Sequence, residues 1–432
     1  MFKTLSGFRE FYPEDLARRD YVFAKWKECA ISFGFEEFDP PVLEQLELFT
    51  EKSGEEIKSQ LFEFVDKGGR AVSLRPEMTP SLARMVGARA NGLKRPIKYF
   101  AIGENYRYER QQKGRLRAFY QFNADLLGET SISADAEIIA LLIDSLKSFG
   151  LTENEFKLRL GDRDLWIYFL RMNGIEECLD SKVLSVVDKI EKVPDTAFEE
   201  MLVKALEGTN LDALKIKEAI KNFVNINSLE ALDEISKNAS QDFSKRIGDW
   251  KELLSMLQSM GLASYISIDL GIVRGLAYYT GFVFEAFQIV GKGRALAGGG
   301  RYDNLVKKLG YPDMPAVGFG MGDVTVSDLL ELCNKQGSIV NNLDAYVVIG
   351  DESLRGVALE KIFALRRLGK KIDYPLKASA FGKQFKQASS LNAKFAIIFA
   401  SDEFSQGKVK LKNLATAEEF MLDLGELESY SF

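Results

Sequence analysis

Residues 99–128 read YFAIGENYRYERQQKGRLRAFYQFNADLLG, and the reading of this stretch decides the reading of the rest. Two strand-like runs, Tyr99 to Tyr108 and Phe119 to Leu127, flank a middle that carries Arg110, Lys113, Arg115 and Arg117 around Gly114. The second run is aromatic and alternates polar with apolar side chains, which is the period of a half-buried strand. Strand geometry places Gln121, Asn123 and Asp125 on one face, and Arg107 and Glu109 likewise share a face. The stretch predicts a hairpin whose floor presents an arginine and carboxylates and whose tip is a cluster of cations. A planar guanidinium on a rigid strand can hold two phosphate oxygens at once. A solvated tip laced with salt bridges would carry the same charges. Four cations within eight residues around a glycine favour an anionic partner.

The surrounding composition narrows the chemistry. At 432 residues the chain can bury a large core and is expected to form two or three domains. A hydrophobic content of 46% and a charged content of 28% are those of an ordinary globular protein. The net charge of −6 argues against a surface that coats nucleic acid, so any RNA contact must be local. The first residues, MFKTLSGFREFYPED, hold no apolar signal core, and no run is long enough to span a membrane. Cys29, Cys178 and Cys333 are scattered without a CxxC pair, as expected in a reducing cytoplasm. Histidine is absent altogether, which removes imidazole bases, Ser–His–Asp triads and most zinc hydrolase sites. Chemistry must then run on Arg, Glu, Asp, Tyr, Gln and backbone dipoles.

Along the chain, Pro13-Glu14-Asp15 starts an amphipathic helix over about Leu16 to Phe33, and Phe35 to Val42 reads as a strand stopped by Pro40-Pro41. Phe62 to Ser73 is a hairpin turning at Lys67-Gly68-Gly69. In Leu74-Arg75-Pro76-Glu77-Met78-Thr79-Pro80, Glu77 sits where a strand hands over to a helix. Residues from Ser131 to Gly150 have helical periodicity, and Phe156 to Gly161 is strand-like. About 162–263 is continuously helical in pattern and reads as an inserted module. Arg274 lies between glycines near Tyr278-Tyr279, and Gly298-Gly299-Gly300 reads as a glycine run leading into a helix from Asp303. Ala316 to Gly322 is a strand of small residues. Beyond a polar linker at 335–342 the pattern becomes βαβαβ, a small α/β domain rich in lysine.

These segments resemble one family. RYERQQKGRLRAFYQF is similar to motif 2 of histidyl-tRNA synthetases, and VRGLAYYTG and AGGGRYDNLV to the two histidine signatures of that family. LRPEMTPSLARM is similar to its substrate strand-to-helix segment, and the opening helix, strand and proline resemble motif 1 of class II aminoacyl-tRNA synthetases. The resemblance runs from about Gly7 to Leu424. It implies an α+β catalytic domain over 1–334 with a mainly antiparallel class II synthetase sheet and the helical insertion at about 162–263. An α/β anticodon-binding domain over 343–432 follows.

The resemblance also implies a reaction: histidine is activated by ATP to histidyl-adenylate, and the histidyl group passes to the 3′ end of histidine tRNA. Arg107 and Arg274 match the catalytic arginines on the α-phosphate. Glu77, Thr79, Gln121, Asp125, Tyr278 and Tyr279 match the histidine pocket, together with Arg107 and Arg274. Arg107, Glu109 and Arg115 match ATP contacts, and Gln112 and Arg117 match contacts to the tRNA acceptor end. Mg2+ is expected with ATP, with no metal held by protein side chains. A cytoplasmic homodimer is expected. Three positions depart from the pattern: Ala277 replaces an aspartate, Tyr120 a histidine, and Val324-Thr325 the Glu-Arg of motif 3. The last removes a cation–π contact to adenine, at a cost of ~1–2 kcal/mol. That loss keeps open a histidine-binding paralogue without ligase activity, such as the regulatory subunit of ATP phosphoribosyltransferase. A tRNA-binding module without catalysis is a third reading.

Overall fold

The computed structural model describes residues 2–50, 58–109, 116–237, 239–273, 278–337 and 343–432. Contacts divide the chain into two compact units, Met1–Gly337 and Ser338–Phe432.

The first unit is built on an eight-stranded sheet. In chain order its strands are β1 (Glu36–Glu37), β5 (Ile97–Tyr106), β6 (Ala118–Leu127), β7 (Phe156–Asp162), β8 (Ile266–Ile268), β9 (Thr280–Gln288), β10 (Ala295–Arg301) and β11 (Ala316–Gly322). A separate three-stranded sheet holds β2 (Leu43–Gln45), β3 (Phe62–Val65) and β4 (Ala71–Leu74). The large sheet has the order β1-β5-β6-β11-β10-β9-β7-β8. It is antiparallel from β5 through to β7, and parallel only where β1 and β8 join its two edges.

Local sequence explains the elements that flank it. The first helix, Pro13–Ser32, has proline in its first turn with Glu14 and Asp15, and the chain turns away at Gly34 with φ +77°. Its buried stripe, Val22, Trp26, Cys29 and Ala30, recurs at helical spacing. Trp26 stacks on Phe122 of β6, with ring centroids 5.5 Å apart. The Ile132–Lys147 helix is buried along most of its length and belongs to the same core. Among the described residues six helices of eight or more residues, from Arg163–Met172 to Gln241–Ser259, fill the segment between β7 and β8. Asp162, Asp212, Ser228 and Ser240 cap four of them through side-chain oxygens.

Three local expectations are corrected. The strand read over Phe35 to Val42 is only Glu36–Glu37, extended by one hydrogen bond from Phe38 N to Phe100 O at 2.9 Å. The prolines that follow cannot donate to a ladder. Gly298-Gly299-Gly300 does not lead into a helix; it lies inside β10, between β9 and β11. Helix formation waits until Leu305–Lys308. Arg107 and Glu109 lie just beyond β5, although Arg107 N still donates to Arg117 O at 2.9 Å.

The second unit carries a five-stranded sheet. Its strands are β12 (Ala345–Ile349), β13 (Ile372–Asp373), β14 (Phe395–Phe399), β15 (Lys408–Asn413) and β16 (Glu419–Asp423), in the order β13-β12-β14-β15-β16. The first three are parallel and the last two form an antiparallel hairpin. Arg355–Arg367 and Phe381–Ser390 pack in separate apolar clusters that share the sheet's alternating residues. Several of its lysines are paired: Lys410 with Glu403 at 2.9 Å, Lys412 with Glu419 at 2.8 Å and Lys394 with Asp344 at 2.9 Å.

Candidate active site

The site is built on β6. Gln121, Asn123 and Asp125 point from one face of this strand, and the register sets Gly322, Gly320 and Gly318 of β11 directly opposite them. Next in the sheet, Gly298 and Gly300 of β10 face Gly320 and Gly318. Glycine on two neighbouring strands leaves a trough beside three polar side chains. The room is needed: a Cβ on Gly318 would sit 2.0 Å from Asp125 Oδ1, and one on Gly320 would sit 2.4 Å from Gln121 Nε2.

Side chains from other elements close the trough into a pocket of about 110 Å³. Glu77 and Thr79 come from the turn before and the start of the Thr79–Ala88 helix, and Arg107 from the end of the hairpin. Tyr278 and Tyr279 precede β9, and Tyr302 follows β10. Tyr278 donates from its hydroxyl to Glu77 Oε2 at 2.9 Å, and Tyr302 donates to Asp125 Oδ1 at 2.5 Å. Each carboxylate keeps its other oxygen buried and without a hydrogen-bond partner, as is Asn123 Oδ1. Buried oxygens left in this way await donors from a ligand. Asn105 Nδ2 donates to Gln121 Oε1 at 2.9 Å, which orients that carboxamide.

Electrostatics follow from burial. The Asp125 carboxyl is pushed up to about 7, chiefly by burial and further by Glu77, with the Tyr302 hydroxyl working against it. Burial also raises Glu77, while Arg107 and the Tyr278 hydroxyl oppose that rise. Both tyrosines are held well above the usual phenol range, first by burial and then by the carboxylate each one faces.

A second cleft of about 240 Å³ adjoins the pocket. The two share Arg107, Gln121, Gly298 and Gly320. The cleft also holds Glu109, Phe119, Leu116 and Ala295 to Ala297, with Val324 and Thr325 at the start of the Asp323–Leu332 helix. The Arg107 guanidinium lies 5.3 Å from the Phe119 ring and its Nε donates to Pro76 O at 3.0 Å. One arginine is thus fixed where pocket and cleft meet. Asp323 is buried, pairs with Arg9 at 2.8 Å and accepts from Tyr120 N at 2.9 Å, which fixes the helix start against β6.

The pocket therefore gathers Glu77, Thr79, Arg107, Gln121, Asp125, Tyr278 and Tyr279 from four separate parts of the chain, and the cleft adds Glu109 to Arg107. Arg117 stands outside both, stacked 4.2 Å over Tyr108 and bonded from its backbone N to Gly7 O at 3.0 Å. Arg274, Ala277, Gln112 and Arg115 lie outside the described residues. Asn123, Tyr302, Gly318 and Gly320 are additional pocket residues. Asn123 was signalled by its alternation with Gln121 and Asp125; Tyr302 was hidden by reading its surroundings as the mouth of a helix.

Comparison with known proteins shows the family. The family model described as histidyl-tRNA synthetase matches residues 7–324. The chain belongs to the histidyl-tRNA synthetase family. A second model, described as an anticodon binding domain, matches residues 344–430. A histidine–tRNA ligase from Opitutus terrae is 53% identical over 419 residues, covering 97% of this chain and 95% of that relative. The chloroplastic/mitochondrial histidine–tRNA ligase of Arabidopsis thaliana is 38% identical over 425 residues, covering 98% and 85%. The crystal structure of histidyl-tRNA synthetase from Nostoc sp. PCC 7120 superposes with a TM-score of 0.79 at 24% identity, covering 99% of this chain and 98% of that one. The histidyl-tRNA synthetase fold accounts for both units: a class II synthetase sheet with helices, and an anticodon-binding domain with a sheet of its own. Among the described residues no helix is long and apolar enough to cross a membrane.

Proposed function

We propose that the chain is a histidine–tRNA ligase that uses histidine, ATP and histidine tRNA. The observation that carries this reading is Arg107 at the junction of a carboxylate-lined pocket and a larger cleft. Histidine enters the pocket with its ammonium on Glu77 and Thr79 and its imidazole N–H groups toward Asp125 and Gln121, closed over by Tyr278 and Tyr279. Two basic nitrogens at opposite ends of one ligand suit two buried carboxyl groups. ATP lies in the cleft with adenine against Phe119 and near Glu109. Arg107, with Arg274 and Arg115, meets its phosphates.

The histidine carboxylate attacks the α-phosphorus, the bond to the β-phosphate oxygen breaks, and pyrophosphate leaves. Negative charge gathers on the α-phosphate oxygens as this happens. A cation already fixed between the two cavities stabilises that charge without reorganising. The 3′-terminal hydroxyl of the tRNA then attacks the histidyl carbonyl and AMP departs. Gln112 and Arg117 contact the acceptor end. Mg2+ enters with the ATP phosphates.

The catalytic domain spans 1–334 with its helical insertion at about 162–263, and the anticodon-binding domain spans 343–432. The enzyme works in the cytoplasm as a homodimer. Exposed apolar side chains on the N-terminal segment and first helix, Phe2, Leu5, Tyr12 and Leu16, and further along Val42 and Leu43, support that assembly. Val324 and Thr325 in the cleft are what a non-ligase paralogue would also show. The roomy cleft and the anticodon-binding unit support the ligase. Pyrophosphate exchange with ATP should depend on histidine, and histidine tRNA should be charged. Purified, folded protein with histidine-dependent exchange absent would refute the reading.

A further inference from the structure

Among the described residues of the pocket, three oxygens are buried without a hydrogen-bond partner: Glu77 Oε1, Asp125 Oδ2 and Asn123 Oδ1. The two carboxylates have their place in the reading above, and Asn123 does not. Its side chain lines the pocket, and the residue is only 4% exposed. On β6 it stands between Gln121 and Asp125, with all three side chains on one face. Its strand neighbours offer it no polar side chain: they are Ala101 of β5 and Gly320 of β11. A buried amide oxygen without a donor costs free energy that a leucine of nearly the same shape would not. In a ligand pocket that donor is the ligand's to supply.

Gln121 is placed differently. Its Oε1 accepts from Asn105 Nδ2 at 2.9 Å, and Asn105 is itself fully buried. Its Nε2 lies over the trough, where a Cβ on Gly320 would sit 2.4 Å from it. Gln121 therefore turns a donor to the pocket, and its acceptor is already engaged. A ring laid toward Asp125 and Gln121 crosses Asn123, and the acceptor it meets there is Asn123 Oδ1.

The order along β6 selects the ring nitrogen. Gln121 and Arg107 border both cavities, so the reacting carboxylate of histidine belongs at that end. Asp125 lies furthest along the strand from it. Nδ1 is the ring nitrogen nearer the α-carbon, which sets it beside Asn123 and sets Nε2 beside Asp125. We propose that Asn123 is a specificity-determining residue that accepts the Nδ1–H of histidine through Oδ1. This rests on the ligase reading above for the identity of the substrate. With Nδ1 holding its proton, Asp125 can face Nε2 in either protonation state, accepting a proton or donating one. A ring without an N–H at Nδ1 leaves the buried oxygen unpaired and is rejected for that reason.

The test uses the full chain with Asn123→Leu and Asn123→Asp in pyrophosphate exchange. Nδ1-methylhistidine and Nε2-methylhistidine serve as competing probes. In Asn123→Leu the KM for histidine should rise about tenfold while the KM for ATP stays within about twofold. The preference for histidine over Nδ1-methylhistidine should fall about tenfold, and that over Nε2-methylhistidine should stay within about twofold. The Tm measured without histidine should not fall, because the variant removes an unpaired buried oxygen. Asn123→Asp keeps an acceptor at the same point and should recover part of the loss. An unchanged KM for histidine overturns the proposal, as does an equal fall in both preferences or an equal rise in both KM values. If Asn123→Leu does not fold, Asn123→Ala decides by the same KM values and preferences. If the unaltered chain shows no histidine-dependent exchange, the ligase reading falls. Calorimetric titration of histidine into the same proteins then decides this inference. A Kd unchanged in the variant overturns it, as does an unaltered chain that binds no histidine.

Discussion

The pocket proposed for histidine and the cleft proposed for ATP share Arg107 and Gln121, yet they are made in opposite ways. The pocket is a gap in a sheet. Its floor is strand backbone without Cβ atoms, its polar groups are buried, and each carboxylate is already held by one tyrosine. The cleft is more than twice as large and is closed by a hairpin rim and a helix start, with Val324 and Thr325 where the family pattern has Glu-Arg. Strand-built sites cannot relax, so they discriminate; rim-built sites adapt, so they tolerate replacement of single contacts. Selection of histidine should therefore depend steeply on single atoms, and ATP binding only gradually.

The largest effect should come from Glu77→Gln. The pocket loses the charge that faces an ammonium, and kcat/KM for histidine in pyrophosphate exchange should fall by ~10²–10³-fold, or about 3–4 kcal/mol. KM for ATP should hardly move. A comparable loss for ATP would break the contrast between the two cavities.

Two glycines on one face of β11 give a sharper comparison. Gly318→Ala places a Cβ 2.0 Å from Asp125 Oδ1 and 2.8 Å from Ala124 O. It should cost about 1–3 kcal/mol of stability by overpacking, seen as a lower Tm, and weaken histidine binding. Gly322→Ala, on the cleft side, meets nothing closer than Thr325 Oγ1 at 3.7 Å and should leave the Tm nearly unchanged.

Asp125 gives a pH signature. Its carboxyl rises from an ordinary 3.8 to about 7 on burial, so the folded protein binds a proton that the unfolded chain releases between those values. That contribution to stability is present in full below about pH 4 and is lost as pH rises through about 7. Asp125→Asn, uncharged throughout, should melt several degrees higher than the unaltered protein near pH 8.5, with the gap shrinking as pH falls and closing only near pH 4. A gap independent of pH would mean that this carboxyl does not titrate where its burial puts it.

The smallest effect should come from Thr325→Arg, which places a cation at the cleft. KM for ATP should fall by roughly five- to tenfold, a gain of ~1 kcal/mol of cation–π contact, with KM for histidine unchanged. No gain would mean that Phe119 and the β-branched pair already hold the base as well as a cation would.

Much of this was legible in the chain itself because period-2 alternation exposes a strand's working face. Gln121, Asn123 and Asp125 announced the pocket floor, and Arg107 its mouth. The glycine trough was not legible. A run of three glycines is compatible with a turn, a helix approach or a strand, and only the pairing of β10 with both β9 and β11 selects the last. Tyr302 was missed for the same reason, since its link to Asp125 spans 177 residues. Arg301 follows the same glycines and carried no reading of its own. The fold buries it against Asp135, with Nη2 2.5 Å from Oδ2. Local pattern finds faces; long-range pairing decides which faces meet.

The central claim is that the histidine pocket is complete before any nucleotide arrives. Calorimetric titration of histidine into the ATP-free protein tests it most directly. The account predicts saturable binding that is lost in Glu77→Gln and changes little when a non-hydrolysable ATP analogue is added. Histidine binding that emerges only once the analogue is present would contradict it.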